Sequence, residues 1–262
     1  MTAVVLLVVG IGAIWLGGVW FACLAAAVAG IMTWELSLML APERAPAAVQ
    51  SGMLAAAAVL FSRVLPEVYV LPVLAAALLV GLGRIPRERL IYGAYGAAIL
   101  LATYGLVRFR DEDGMLWLVW LILVVVVTDV GGYFGGRLIG GRKFWPRVSP
   151  KKTWAGILSG WAAAAIVGTG FAFYTTAGFD LVWITMLVSF ASQMGDVAES
   201  AIKRRAGVKD SSKLLPGHGG LADRFDALLG AALLMLAFAM VLPVPEVAYP
   251  GARTIPAPWW PW

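Results

Sequence analysis

The sequence predicts an all-α, polytopic integral membrane protein of about nine transmembrane helices, its N-terminus in the cytoplasm. Three observations carry this. Of 262 residues, 61% are hydrophobic and only 13% charged, and the mean hydropathy is +0.86, too little polar surface to clothe a soluble globule of this size. The apolar residues fall into stretches near the ~20 residues a helix needs to cross a bilayer. With the N-terminus inside, the positive-inside rule leaves only Arg63, Arg108, Arg110 and Arg253 on the far side, and gathers every other Lys and Arg in cytoplasmic loops.

Taken in order, the stretches lie at about 3–19, 21–40, 47–62, 66–82, 90–107, 115–137, 153–175, 180–203 and 221–242. The first two are separated only around Gly17 and Gly18, which makes them either a tight hairpin or one long tilted span. No basic n-region or small-residue cleavage site marks the start, so the first stretch reads as a retained span. Glu35 in the second stretch stands near its cytoplasmic edge, where an interfacial or packing role suits a carboxylate better than chemistry. The tail Pro256-Ala257-Pro258-Trp259-Trp260-Pro261-Trp262 reads as an aromatic anchor at the far surface.

Composition changes near Gly114. Residues 1–113 are rich in Ala, Leu and Val and read as largely structural, whereas 114–262 hold nearly all the intramembrane carboxylates and both strongly basic loops. The two parts form a single membrane domain. The net charge of +5 follows from topology and anionic headgroups, so nucleic acid is not an expected partner. Cys23 is the lone cysteine; it forms no intrachain disulfide or Cys-rich metal site and is expected as a packed core thiol.

Chemistry concentrates in the eighth stretch and the loop after it. Ser189, Ser192, Gln193, Asp196, Glu199, Ser200 and Lys203 follow at helical spacing and share one narrow face. Lipid cannot satisfy such a stripe, so it must face protein, water or ligand. The loop continues with Arg204, Arg205, Lys209 and Asp210, then Pro216-Gly217-His218-Gly219-Gly220, then Asp223-Arg224-Phe225-Asp226. Cationic side chains and a Gly-rich turn suit phosphate groups. His218, the sole histidine, is a phosphate contact or turn organiser more than a general base.

Asp196 and Asp223, at the ends of consecutive antiparallel helices, are placed to meet as hard oxygen donors for Mg²⁺, which takes its other ligands from water and substrate phosphates. Asp226, three residues on, is a further candidate ligand. An earlier constellation has Asp129 beside Thr128, the run Gly131-Gly132-Tyr133-Phe134-Gly135-Gly136-Arg137, and Ser149-Pro150-Lys151-Lys152-Thr153-Trp154 opening the seventh helix. Ser149, Lys151, Lys152 and Thr153 offer phosphate donors there.

These ordered motifs, over roughly residues 115–230, resemble the signature of the CDP-diacylglycerol synthases (phosphatidate cytidylyltransferases). The resemblance implies that a phosphate oxygen of phosphatidic acid attacks the α-phosphorus of CTP, yielding CDP-diacylglycerol and pyrophosphate. It implies a Mg²⁺ site, of one ion or two, at the aspartates. Asp196, Asp223, Lys203, Arg224 and His218 then form the catalytic set. Ser149, Lys151, Lys152, Thr153, Ser200, Arg204, Lys209, Asp210, Gly217, Gly219 and Gly220 are substrate contacts, and Asp226, Asp129 and Glu199 further metal candidates. Ala155 stands where the family commonly has Glu; if that carboxylate only favours the helix start, its loss costs up to about 1 kcal/mol.

The expected setting is a bacterial-type inner membrane with the active site facing the cytoplasm, the lipid entering sideways; a homodimer is left open. Rival readings are a related lipid cytidylyltransferase, a CTP-dependent lipid kinase, a transporter using the intramembrane carboxylates, and a membrane scaffold.

Overall fold

The computed structural model describes residues 2–175, 177–215, 217 and 219–241, with side chains from Leu7 onward. The C-terminal aromatic tail, Arg253 and His218 lie outside the described residues.

Nine α-helices are present among the described residues: α1 (Thr2–Leu16), α2 (Gly18–Leu40), α3 (Ala45–Ser62), α4 (Glu67–Arg84), α5 (Arg89–Glu112), α6 (Met115–Leu138), α7 (Trp154–Tyr174), α8 (Asp180–Arg205) and α9 (Ala222–Ala239). Each apolar stretch thus forms a helix. Seven of these elements, the ones containing α2 to α8, are long and apolar enough to cross a membrane. The expectation of nine spans is therefore met only in part. Helix α1 has 15 residues, about 22 Å at helical rise, short of a ~30 Å hydrocarbon core. Helix α9 has 18, with Asp223, Arg224 and Asp226 in its opening turns.

The α1–α2 junction breaks at Gly17, whose φ of 62° is left-handed. Arg110 of α5 donates from Nε to the Ile14 carbonyl at 2.9 Å, meeting an acceptor freed where α1 ends.

The all-α expectation needs one addition. Two short antiparallel strands, β1 (Lys143–Trp145) and β2 (Ser149–Thr153), form a hairpin between α6 and α7. β2 leads directly into α7, whose first turn is capped by Thr153 Oγ1 accepting from Gly156 N at 3.1 Å. The basic Ser149–Thr153 run is thus an extended arm delivered to a helix N-terminus.

Packing ties the apolar front to the polar back. Helix α5 packs on both α2 and α9, and the fully buried Leu36, Tyr92, Ile99, Leu118 and Trp120 belong to one core. The polar stripe of α8 turns inward, with Ser189, Ser192 and Glu199 inaccessible to solvent. Cys23, by contrast, is exposed and not packed in the core. A membrane helix carries apolar residues on its outer face too, so an apolar neighbourhood says little about direction.

Helices α8 and α9 cross with backbones nearly touching. A Cβ at Gly195 would lie 3.0 Å from Gly230 N and closer still to the Asp226 carbonyl. Gly195→Val is therefore expected to push the helices apart, costing about 1–3 kcal/mol as an overpacking change. A lower apparent Tm in detergent, with the polar cavity between these helices disturbed, is the measurable outcome. An unchanged Tm would mean that the crossing yields freely.

Candidate active site

A cavity of about 600 Å³ opens among α6, β2, α7, α8 and α9. The α6–α7 wall is thin because glycines meet glycines: a Cβ on Gly132 would lie 3.3 Å from the Gly156 carbonyl, and one on Gly136 3.6 Å from Gly156 Cα. Into the space project Asp129, Arg137, Lys151, Lys152, Thr153, Asp196, Lys203, Asp223 and Asp226. Four cations and four carboxylates thus share one polar chamber inside an apolar helix bundle.

The charges are arranged in layers. Lys152 Nζ lies 2.5 Å from Asp196 Oδ2 and 3.3 Å from the Gln193 carbonyl. The Gln193 side chain accepts from Trp161 Nε1 at 3.0 Å and donates to the Ile157 carbonyl at 3.3 Å, which fixes α8 against α7. Ser200 donates to Asp196 Oδ1 at 3.3 Å. One turn further along α8, Lys203 Nζ sits between Glu199 Oε2 at 2.7 Å and Asp223 Oδ1 at 2.5 Å. Asp196 and Asp223 do line one cavity, as expected, and each is held there by a lysine.

Asp223 is also anchored from behind. Its Oδ2 accepts from Ser211 N at 2.9 Å, Ser211 Oγ at 2.8 Å and Gly220 N at 2.8 Å. The residue at the α9 N-cap position, Leu221, supplies no side-chain cap. The missing cap comes instead from Glu35 of α2, fully buried, which accepts from Leu221 N at 2.8 Å and Ala222 N at 2.7 Å. It also accepts from Ser212 Oγ at 2.6 Å, while the Ser211 hydroxyl lies 3.3 Å away. A carboxylate at a helix N-terminus satisfies orphan N–H groups and complements the helix dipole.

Glu35 is therefore the keystone under the loop that holds Asp223, in keeping with the packing role expected of it. Gly220 fits beneath it only because it lacks a side chain, since a Cβ there would collide with Ser211 Oγ and Glu35 Oε1.

Other expected site residues fall outside the cavity lining. Arg204, in the last turn of α8, and Lys209, Asp210 and Gly217 on the loop after it are exposed, and Ser149 lies at the far end of β2, paired with Trp145. Gly219 supports the turn by accepting from Leu215 N at 2.9 Å. Arg224 is the residue after Asp223 and does not line the cavity. Ala155, the second residue of α7, is also outside the lining. Tyr133 and Arg137 do line it, although in the sequence they read only as part of a Gly-rich run and a basic loop.

Among the described residues, no three acidic, His or Cys side chains are already grouped to hold a metal ion. The donor chemistry nonetheless fits a hard cation. Glu199 Oε1 is buried with no hydrogen-bond partner. A buried carboxylate oxygen without a donor calls for a proton or a cation beside it. Asp129, Asp196, Asp223 and Asp226 bring further oxygens to the same space.

Fold and site together define an α-helical protein with membrane-length spans around a chamber suited to phosphate and metal. The chain belongs to the Cytidylyltransferase family, whose sequence model matches residues 1–242. It is similar to the phosphatidate cytidylyltransferase of Brucella suis biovar 1, 42% identical over 164 residues, covering 62% of this chain and 59% of that one. It is also similar to the phosphatidate cytidylyltransferases of Helicobacter pylori, 37% identical over 148 residues (56% and 54% covered), and Bacillus subtilis, 40% identical over 126 residues (47% and 47% covered). The chain thus spans 47% to 59% of the length of these relatives.

Proposed function

We propose that this chain is a phosphatidate cytidylyltransferase, embedded in an inner membrane with its N-terminus and cavity mouth on the cytoplasmic side. The observation that carries the reading is the chamber itself: Lys151, Lys152, Lys203 and Arg137 face Asp129, Asp196, Asp223 and Asp226 across one cavity bounded by helices of membrane length. Transporters also use intramembrane carboxylates, but four cationic side chains gathered beside them in one chamber are suited to binding phosphates.

The reaction needs little from a general base. A phosphomonoester has its second pKa near ~6, so the lipid phosphate already carries a nucleophilic oxyanion at neutral pH. That oxygen forms a bond to the α-phosphorus of CTP, the bond from the α-phosphorus to the β-phosphate bridging oxygen breaks, and pyrophosphate leaves. Lys152 and Lys203 neutralise the phosphates of the two anionic substrates, and the α8–α9 pair holds both lysines in line. Asp196, Asp223 and Asp226 would hold Mg²⁺, as one ion or two. Bound there, Mg²⁺ supplies Lewis-acid charge stabilisation to the polyphosphate.

Purified protein in liposomes containing phosphatidate, given Mg²⁺ and CTP labelled in the cytidine, is expected to move label into lipid and release pyrophosphate. EDTA should stop both. Label recovered in soluble CDP would instead identify a lipid kinase, and label left in CTP with folded protein would dismiss nucleotidyl transfer.

A further inference from the structure

We propose that Arg137, clamped by Tyr133, receives the phosphate of the lipid substrate and sets affinity for phosphatidate separately from affinity for CTP; this rests on the transfer reaction proposed above. The cations lining the chamber are not equivalent. Lys152 is engaged by Asp196, and Lys203 by Glu199 and Asp223. Among the described residues, neither Arg137 nor Lys151 has a carboxylate within ion-pair distance. Arg137 instead donates from Nη1 to the Tyr133 hydroxyl at 2.7 Å, with its guanidinium carbon 6.0 Å from the Tyr133 ring centre. The hydroxyl bond orients the planar group while four of its five N–H donors are not used by Tyr133, the fork that matches a phosphate bidentately.

Position separates Arg137 from Lys151. Arg137 lies in the last turn of α6, a helix of membrane length, and so at a membrane boundary where lipid phosphates reside. The α6 side chains around it, Val130, Phe134 and Leu138, are large, apolar and exposed, Leu138 at 80%. Acyl chains would contact that outer surface. Arg137 and Tyr133 are thus both part of the lipid-facing exterior and part of the chamber lining. Lys151 comes from the hairpin, outside the helices. A lipid sliding in from the bilayer meets Arg137 first, and a headgroup carrying a phosphomonoester gains two charge-assisted bonds that a phosphodiester headgroup forms less well.

The test uses the full chain in mixed detergent–phosphatidate micelles, varying phosphatidate and CTP independently, together with equilibrium binding of a fluorescent short-chain phosphatidate in the absence of CTP. Arg137→Gln is expected to raise the KM for phosphatidate and weaken its binding by about tenfold or more, the size of losing hydrogen bonds to a charged group. The KM for CTP should stay within about twofold, which also reports an intact fold. Arg137→Lys keeps charge without the fork and should fall between, and Tyr133→Phe should follow in the same direction with a smaller change. An equal rise in the KM for CTP, or no change in either, overturns the proposal. Should the wild type make no CDP-lipid, the transfer reading fails, but the binding arm still decides: phosphatidate binding that depends on Arg137 upholds the receiver, and binding that ignores Arg137, or no binding, removes it.

Discussion

Asp223→Asn is expected to reduce cytidylyl transfer about 10³-fold or more, the upper end of what removing one preorganised electrostatic group costs. The substitution keeps shape and changes only charge and hydrogen-bonding sense. Oδ2 accepts from three donors, Ser211 N, Ser211 Oγ and Gly220 N, and Oδ1 accepts from Lys203. An amide NH₂ in either orientation sets donor against donor, facing the loop or the ammonium. Lys203 then keeps only Glu199 as its ionic partner, and the chamber loses one of its hard oxygens. The variant should remain folded in detergent, because Glu35 still caps α9, and lipid labelling from cytidine-labelled CTP should fall to near background. Retention of more than about a tenth of wild-type turnover would assign Asp223 to scaffolding alone.

What the sequence revealed of this site, and what it hid, follows from the range of the interactions. The stripe from Ser189 to Lys203 was readable because a helix converts spacing directly into a shared face. That face does point into the bundle, where it meets Lys152, Thr128 and Asp223. Asp196, Asp223, Asp226, Asp129, Lys151, Lys152 and Thr153, all singled out beforehand, line one chamber. The packing role of Glu35 was legible but its partners were not, because they lie in the loop 176 to 187 residues away, and no local pattern encodes such a contact. Arg137 was read as a topogenic charge, since a cation at a helix end looks the same whether it faces a loop or a cavity. The β1–β2 hairpin was missed because five residues with a proline carry no clear strand alternation. Cys23 went astray because apolar residues in a membrane helix mark both the core and the lipid face.

Glu35→Ala should be the most damaging change in the front half of the chain, at a residue that does not line the chamber. Removing the carboxylate strands the buried Leu221 N and Ala222 N and takes the acceptor from the partly buried Ser212 Oγ, and each buried group left unsatisfied costs about 1–3 kcal/mol. The losses share one loop and are not additive, so about 3–5 kcal/mol is expected in all. Because Ser211 bridges Glu35 and Asp223, the cost does not stay local: the turn that presents Gly220 N to Asp223 loses its support, and transfer should fall with stability. Glu35→Gln separates the two effects. Its amide oxygen still accepts from one of the two N–H groups at the start of α9 while its NH₂ opposes the other, so it should retain more stability than the alanine variant. Paired Tm and turnover measurements on both variants decide the matter. If Glu35→Ala unfolds within about 1 kcal/mol of wild type and turns over normally, the helix cap is dispensable, and Asp223 is held by Ser211, Gly220 and Lys203 without help from α2.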